Sequence, residues 1–312
     1  MKNILFSIIY SLMFFVISSC SNSTKPDDQV KEHLSKREVT VFVTIPPQKD
    51  IVQAIAGKYV HVEAMVPPGQ EPHDYQPTPK QILALYSAKA YFEIGIPFEK
   101  MLVEKLKKTD VKTDFINMCK NTKMLVNYVN GKTITDPHIW LSPVQLKILC
   151  NNTLNALIKL MPQHATYFRN NYSGYIKKLN KVNFELKKIL KPFEGKTFFV
   201  FHPAFGYFAK DFGLKQEAVE IEGKEPSPKE LFNLISKAKR LGVKVVFVEP
   251  QFSEKSTQAL ADAIHGSVIA INPLSENILD NFQVIAQKIK SSFLMQNSEK
   301  FISATGKAKN PL

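Results

Sequence analysis

Three histidines stand in short, unusual settings: His73 in Pro67-Pro68-Gly69-Gln70-Glu71-Pro72-His73-Asp74-Tyr75, His138 in Asp136-Pro137-His138-Ile139-Trp140, and His202 in Phe201-His202-Pro203. A neutral imidazole presents a lone pair on one ring nitrogen and is the commonest protein ligand for zinc. Three of them together make a transition-metal site, whereas one alone is more often a hydrogen-bonded structural residue. Each of the three directly or closely follows a stretch that reads as a buried strand, so they can converge at one edge of a sheet. The other four, His33, His61, His164 and His265, fall in a polar N-terminal stretch, at a strand start or at helix positions, and read as surface or structural residues.

The elements that must position these rings alternate between strand and helix. Val39 to Ile45 is apolar and β-branched, Asp50 to Ala56 has helical spacing stopped by Gly57, and Val60 to Val66 is a second strand. After the His73 loop a helix opens at Thr78-Pro79, with threonine as cap and proline at the first helical position. Tyr91 to Ile94 and Val111 to Met118 read as strands around a Pro97 to Lys108 helix. The second half repeats the scheme with strands at Thr197 to Phe201, Gln216 to Ile221, Val243 to Val248 and Ser267 to Ile271, and helices beginning at Ser227-Pro228 and near Ser253. Regular βα alternation implies parallel sheets covered by helices on both faces. The expected fold is therefore α/β, with two parallel-sheet βα lobes. Between them, Ser142-Pro143 starts one helix and Pro162 starts another whose apolar period runs to about Lys191. That second helix would span roughly 40 Å. With no Gly/Ser hinge present, it should join the lobes stiffly. In open α/β sheets ligands bind beyond the carboxyl ends of strands; His73 is read as following the second strand, His138 the fourth and His202 the first of the second half.

Residues 1–20 carry Lys2, an apolar run from Ile4 to Ile17 and the small pair Ser18-Ser19 before Cys20. The run is too short to span a bilayer and has the flanks of an export signal. Ile17-Ser18-Ser19-Cys20 resembles the bacterial lipobox, which makes Cys20 the expected lipid-attachment site and places the protein outside the cytoplasm, periplasmic or at the cell surface, anchored to a membrane. Residues 21–37 read as a polar tether. Expected units follow as a first lobe over 38–142, linking helices over 143–193, a second lobe over 194–297 and a tail over 298–312. The formal charge is +13. Export excludes nucleic acid as a partner, and the lysines, spread over helical segments without interleaved aromatics, read as solvated faces. Cys119 and Cys150 are read either as a disulfide or as two buried thiols.

Pro67 to Pro79, Asp136 to Pro143, and Phe201-His202-Pro203-Ala204-Phe205-Gly206-Tyr207 look like the three signatures of ZnuA/TroA-type zinc and manganese solute-binding proteins of ABC transporters. Glu220 to Ser227 and Val248 to Ser253 are also similar to stretches of that family, and the resemblance covers the chain from Val39 to about Leu294. It implies two lobes joined by a long helix, with one metal held between them and handed, by what is expected to be a monomer, to an inner-membrane permease. Carried over, His73 and His138 are the first lobe's ligands and His202 the first ligand of the second lobe. Family members commonly place an aspartate after the last strand, where this chain reads Ile271-Asn272-Pro273-Leu274, so the fourth position falls to Asn272 or water.

Three imidazoles suit Zn2+ better than Mn2+, whose sites in this family carry more carboxylate. They also leave the ion's double charge uncompensated, so Asp74, Glu222 and Glu249 are candidates for balancing it or orienting a ring. Capture of zinc is thus the expected function, with a manganese-binding homologue or a metal-dependent adhesin as alternatives. A zinc hydrolase is disfavoured, because the chain has neither a His-Glu-x-x-His helix nor a Gly-x-Ser-x-Gly motif.

Overall fold

The structure, a computed structural model, describes residues 39–129, 132–220, 224, 226–252 and 255–306. Cys20 and Glu222 lie outside the described residues. The chain from Glu38 onward forms one compact unit of its own.

Its first half builds a parallel sheet from β1 (Val39–Val43), β2 (Val60–Ala64), β3 (Ala90–Glu93) and β4 (Asp114–Asn117), in the order β2-β1-β3-β4. The crossovers carry α1 (Pro46–Ala56), α2 (Pro79–Ser87) and α3 (Pro97–Leu106). The second half repeats this topology with β7 (Thr197–Val200), β8 (Lys215–Ala218), β9 (Val245–Val248) and β10 (Ser267–Ala270), in the order β10-β9-β7-β8. Its helices are α6 (Gly206–Asp211), α7 (Pro228–Leu241), α8 (Lys255–Ala263) and α9 (Ile278–Gly306). α9 continues past the expected start of the tail at residue 298. Central strands such as β9, Val-Val-Phe-Val, are buried along their whole length because helices cover both faces.

Two features between the halves shape the site. The first is an antiparallel hairpin, β5 (Leu125–Val129) and β6 (Lys132–Asp136), which is not among the strands expected from sequence. His138 therefore follows the hairpin's second arm and not β4, which is also shorter than the expected Val111 to Met118. The second is the helical spine, α4 (Pro143–Leu160) and α5 (Ala165–Leu190). α5 has 26 residues, about 39 Å at ~1.5 Å per residue, and packs on α1, α4 and α9.

Local chemistry accounts for the helix starts. Ser142 caps α4 by accepting the Gln145 N–H at 2.9 Å, with Pro143 in the first turn. Thr78 with Pro79 and Ser227 with Pro228 do the same for α2 and α7, each closing a capping box with Gln81 or Glu230. One apolar core runs through both halves along the spine, and a smaller one lies under α7 and α8 on the outer face of the second sheet. Cys119 and Cys150 are free; the Cys119 thiol donates to the Ile94 carbonyl at 3.0 Å. Among the described residues no helix is long and apolar enough to cross a membrane.

Candidate metal centre

His73 sits on the loop from β2 to α2, His138 at the head of a short 3-10 turn (Ile139–Leu141) after β6, and His202 on the loop between β7 and α6. The fold brings all three together. Ring centroids are 5.3 Å apart for His73 and His138, 5.0 Å for His73 and His202, and 5.0 Å for His138 and His202. One nitrogen from each ring lies within 4.8 Å of the others. The Nε2 atoms of His138 and His202 are 3.1 Å apart. Two nitrogens bound at ~2.0 Å to one tetrahedral zinc are about 3.3 Å apart, so this pair is already at coordinating distance. Closing the third onto the same ion needs a shift of at most about 1.5 Å.

Every one of the three rings has a carboxylate on its other nitrogen. Asp136 Oδ1 accepts both the His138 backbone N–H at 2.9 Å and Nδ1 at 2.8 Å. Glu71 Oε1 accepts the His73 backbone N–H at 2.9 Å and contacts its Nδ1. These two are the same device, acid-Pro-His, in which an acid two residues upstream forms an Asx-like turn and grips the ring at once. Glu220 Oε2 lies 2.9 Å from His202 Nδ1. A proton held on Nδ1 by a carboxylate puts the free lone pair on Nε2 and raises its basicity toward a metal. The Nε2 lone pairs of His138 and His202 then face each other, an arrangement that repels unless a cation lies between them.

Electrostatics favour a proton-free His138. Burial pushes the His138 pKa down to about 4 despite the Asp136 hydrogen bond and charge, which act upward. At Glu71 burial works upward, but hydrogen bonds and charge from His73 outweigh it and leave the carboxyl below its ordinary value. The side chains of His138 and His202 are nearly enclosed, with 6% and 11% exposure, while His73 keeps 27%. Phe252 stacks on the His202 ring at 4.8 Å, and Trp140 packs against His138 while its Nε1–H donates to the Pro273 carbonyl at 2.9 Å across the lobes.

The acids singled out from sequence are placed differently from Glu71, Asp136 and Glu220. Asp74 is exposed. Glu249 is fully buried; its Oε2 accepts the His202 backbone N–H at 3.1 Å, its Oε1 has no hydrogen-bond partner among the described residues, and burial lifts its pKa to about 8. Asn272 has its side-chain oxygen engaged by the Leu274 backbone N–H at 2.9 Å.

Two like-folded α/β lobes on a shared helical spine, facing each other across three imidazoles, define the class of two-lobed metal receptors. The chain belongs to the ZnuA family, zinc-uptake complex component A, periplasmic, whose model matches residues 41–291. It is 28% identical over 288 residues to the high-affinity zinc uptake system protein ZnuA of Bacillus subtilis, covering 85% of this chain and 87% of the relative. A crystal structure of ZnuA matches with TM-score 0.78 and 36% identity over 81% of this chain and 98% of the other. A zinc-bound ZnuA lacking residues 138–173 of its own numbering matches with TM-score 0.77 and 37% identity over 81% and 97%.

Proposed function

We propose that the protein captures Zn2+ outside the cytoplasm and delivers it to the permease of an ABC transporter, with His73, His138 and His202 as ligands and water in the fourth position. The lobes expected over 38–142 and 194–297 each contribute to that site. The observation that carries this reading is the 3.1 Å approach of two Nε2 atoms whose rings are both held through Nδ1 by carboxylates. Three nitrogen donors with no carboxylate among them suit zinc over manganese, and the relatives named for zinc support the same choice. The ion is cargo, so an exchangeable water at the fourth position serves release as well as capture. Asn272 supports this arrangement, because its acceptor oxygen is already committed to the chain. Lipid attachment at Cys20, keeping the receptor at the membrane that carries the permease, completes the proposal.

Isothermal titration of chelator-stripped protein tests it. One zinc per chain is expected, with His202→Ala weakening binding by at least 100-fold. Binding of the variant within a few-fold of wild type would falsify the site.

A further inference from the structure

Resting on the reading that the three histidines hold the ion, a residue outside that group governs the spacing of two of them. Tyr207 is the second residue of α6, five positions after His202. Its hydroxyl reaches into the first lobe, where it accepts the Leu125 backbone N–H at 2.8 Å and donates to the Asp136 carbonyl at 2.9 Å. Leu125 and Asp136 are register partners at the open end of the β5–β6 hairpin, so one hydroxyl ties both arms to the second lobe. Burial raises the Tyr207 pKa to about 12, which keeps the donated proton in place. Gly206 closes on the same residue from its side: a Cβ built there would lie 2.8 Å from Asp136 Oδ2.

The second lobe thus meets the segment Asp136 to His138 at two places. One is the Nε2 pair of His138 and His202, which is repulsive without a cation. The other is the Tyr207 hydroxyl, which is attractive with or without one. We propose that Tyr207 is a positioning residue for the metal, holding Asp136, and through it the His138 ring, at coordinating distance from His202 before the ion arrives. Gly206 is required beside it because any side chain there would displace the Asp136 carboxylate. Preorganisation of this kind lowers what binding must spend on ordering the site, and its loss shows chiefly in the dissociation rate.

The test uses the folded unit from Glu38 onward, chelator-stripped, with zinc affinity measured by competition against a fluorescent chelator and dissociation by stopped flow into excess EDTA. Tyr207→Phe should weaken zinc binding about tenfold, the lower end for residues that orient a ligand, mainly through faster dissociation. In an Asp136→Ala background the same change should still weaken zinc but by less than in wild type, because the hydroxyl bonds a main-chain carbonyl that alanine keeps while the carboxylate through which it orients the His138 ring is gone. Gly206→Ala, whose Cβ would press on the Asp136 carboxylate, should also weaken zinc, and should add little in the Asp136→Ala background, where that carboxylate is absent; a merely structural role would cost the same in both backgrounds. Should Tyr207→Phe fail to fold, Gly206→Ala carries the test alone. Wild-type affinity and dissociation in both variants, or a Tyr207→Phe effect that multiplies in full on Asp136→Ala, would overturn this inference while leaving the zinc reading intact. No zinc uptake by the wild type would overturn both.

Discussion

Replacing Asp136 by alanine isolates the contribution of the carboxylates that stand behind the ligands. In the structure one oxygen, Oδ1, serves both the backbone N–H and the Nδ1 of His138, and the residue is only 4% exposed. Alanine leaves the Nδ1–H without a charged partner inside a closed site, a loss of about 1.5–3 kcal/mol for a hydrogen bond to an ionised group. It also frees the ring to carry its proton on Nε2, where that proton would point at His202 Nε2 3.1 Å away and occupy the place of the ion. The two effects together predict zinc affinity lower by about 10- to 100-fold, or about 1.4–2.7 kcal/mol. Imidazolium formation is not the cause. Asp136 acts to raise the His138 pKa, so its removal moves that pKa further below about 4, and the loss should be the same at pH 6.5 and pH 8. Chelator competition at both values is the assay. An affinity within twofold of wild type, or a loss that vanishes at pH 8, would refute the argument.

Other expectations concern the scaffold. On α5, Leu179→Ala removes a fully buried side chain and should cost about 2–5 kcal/mol of stability, while Phe184→Ala on the exposed face should change it by less than about 0.5 kcal/mol; urea denaturation compares them. Glu99 is buried with its pKa raised to about 7, chiefly by desolvation, although it accepts the Ile94 and Ile96 N–H groups at 2.8 and 3.1 Å. A raised folded pKa stabilises below the unfolded value near 4.5 and loses that contribution as pH rises through about 7. Between pH 4.5 and 8 the Glu99→Gln variant should therefore gain about 3 kcal/mol relative to wild type; parallel pH profiles would exclude this. The thiol pKa values of Cys119, about 12, and of Cys150 are both raised by burial. Both should react with a thiol reagent only after unfolding, and one reacting fast in the native protein would contradict their placement.

The parts legible in the sequence were those with local causes. Thr78-Pro79, Ser142-Pro143 and Ser227-Pro228 each announced a helix start that the structure bears out, because cap and proline act within one turn. Strand positions followed from apolar runs, with ends shorter by a few residues: β8 stops at Ala218 and not Ile221, and β4 begins at Asp114 and not Val111. The hairpin lies outside the strands expected from apolar runs, although Asn130-Gly131 between alternating residues is its usual signal. For the site, the carboxylates on His73 and His138 were readable as acid-Pro-His, twice. Glu220 was not, since it meets His202 from 18 residues away through the pairing of β7 with β8. Sequence proximity pointed instead to Asp74, which the loop turns to solvent.

Zinc K-edge X-ray absorption on protein loaded with one equivalent of zinc probes the central claim at the ion itself. The account predicts three imidazole nitrogens at ~2.0 Å with one further light atom, and loss of imidazole scattering in His138→Ala. A shell containing sulfur, or one with no more than a single imidazole, would contradict it.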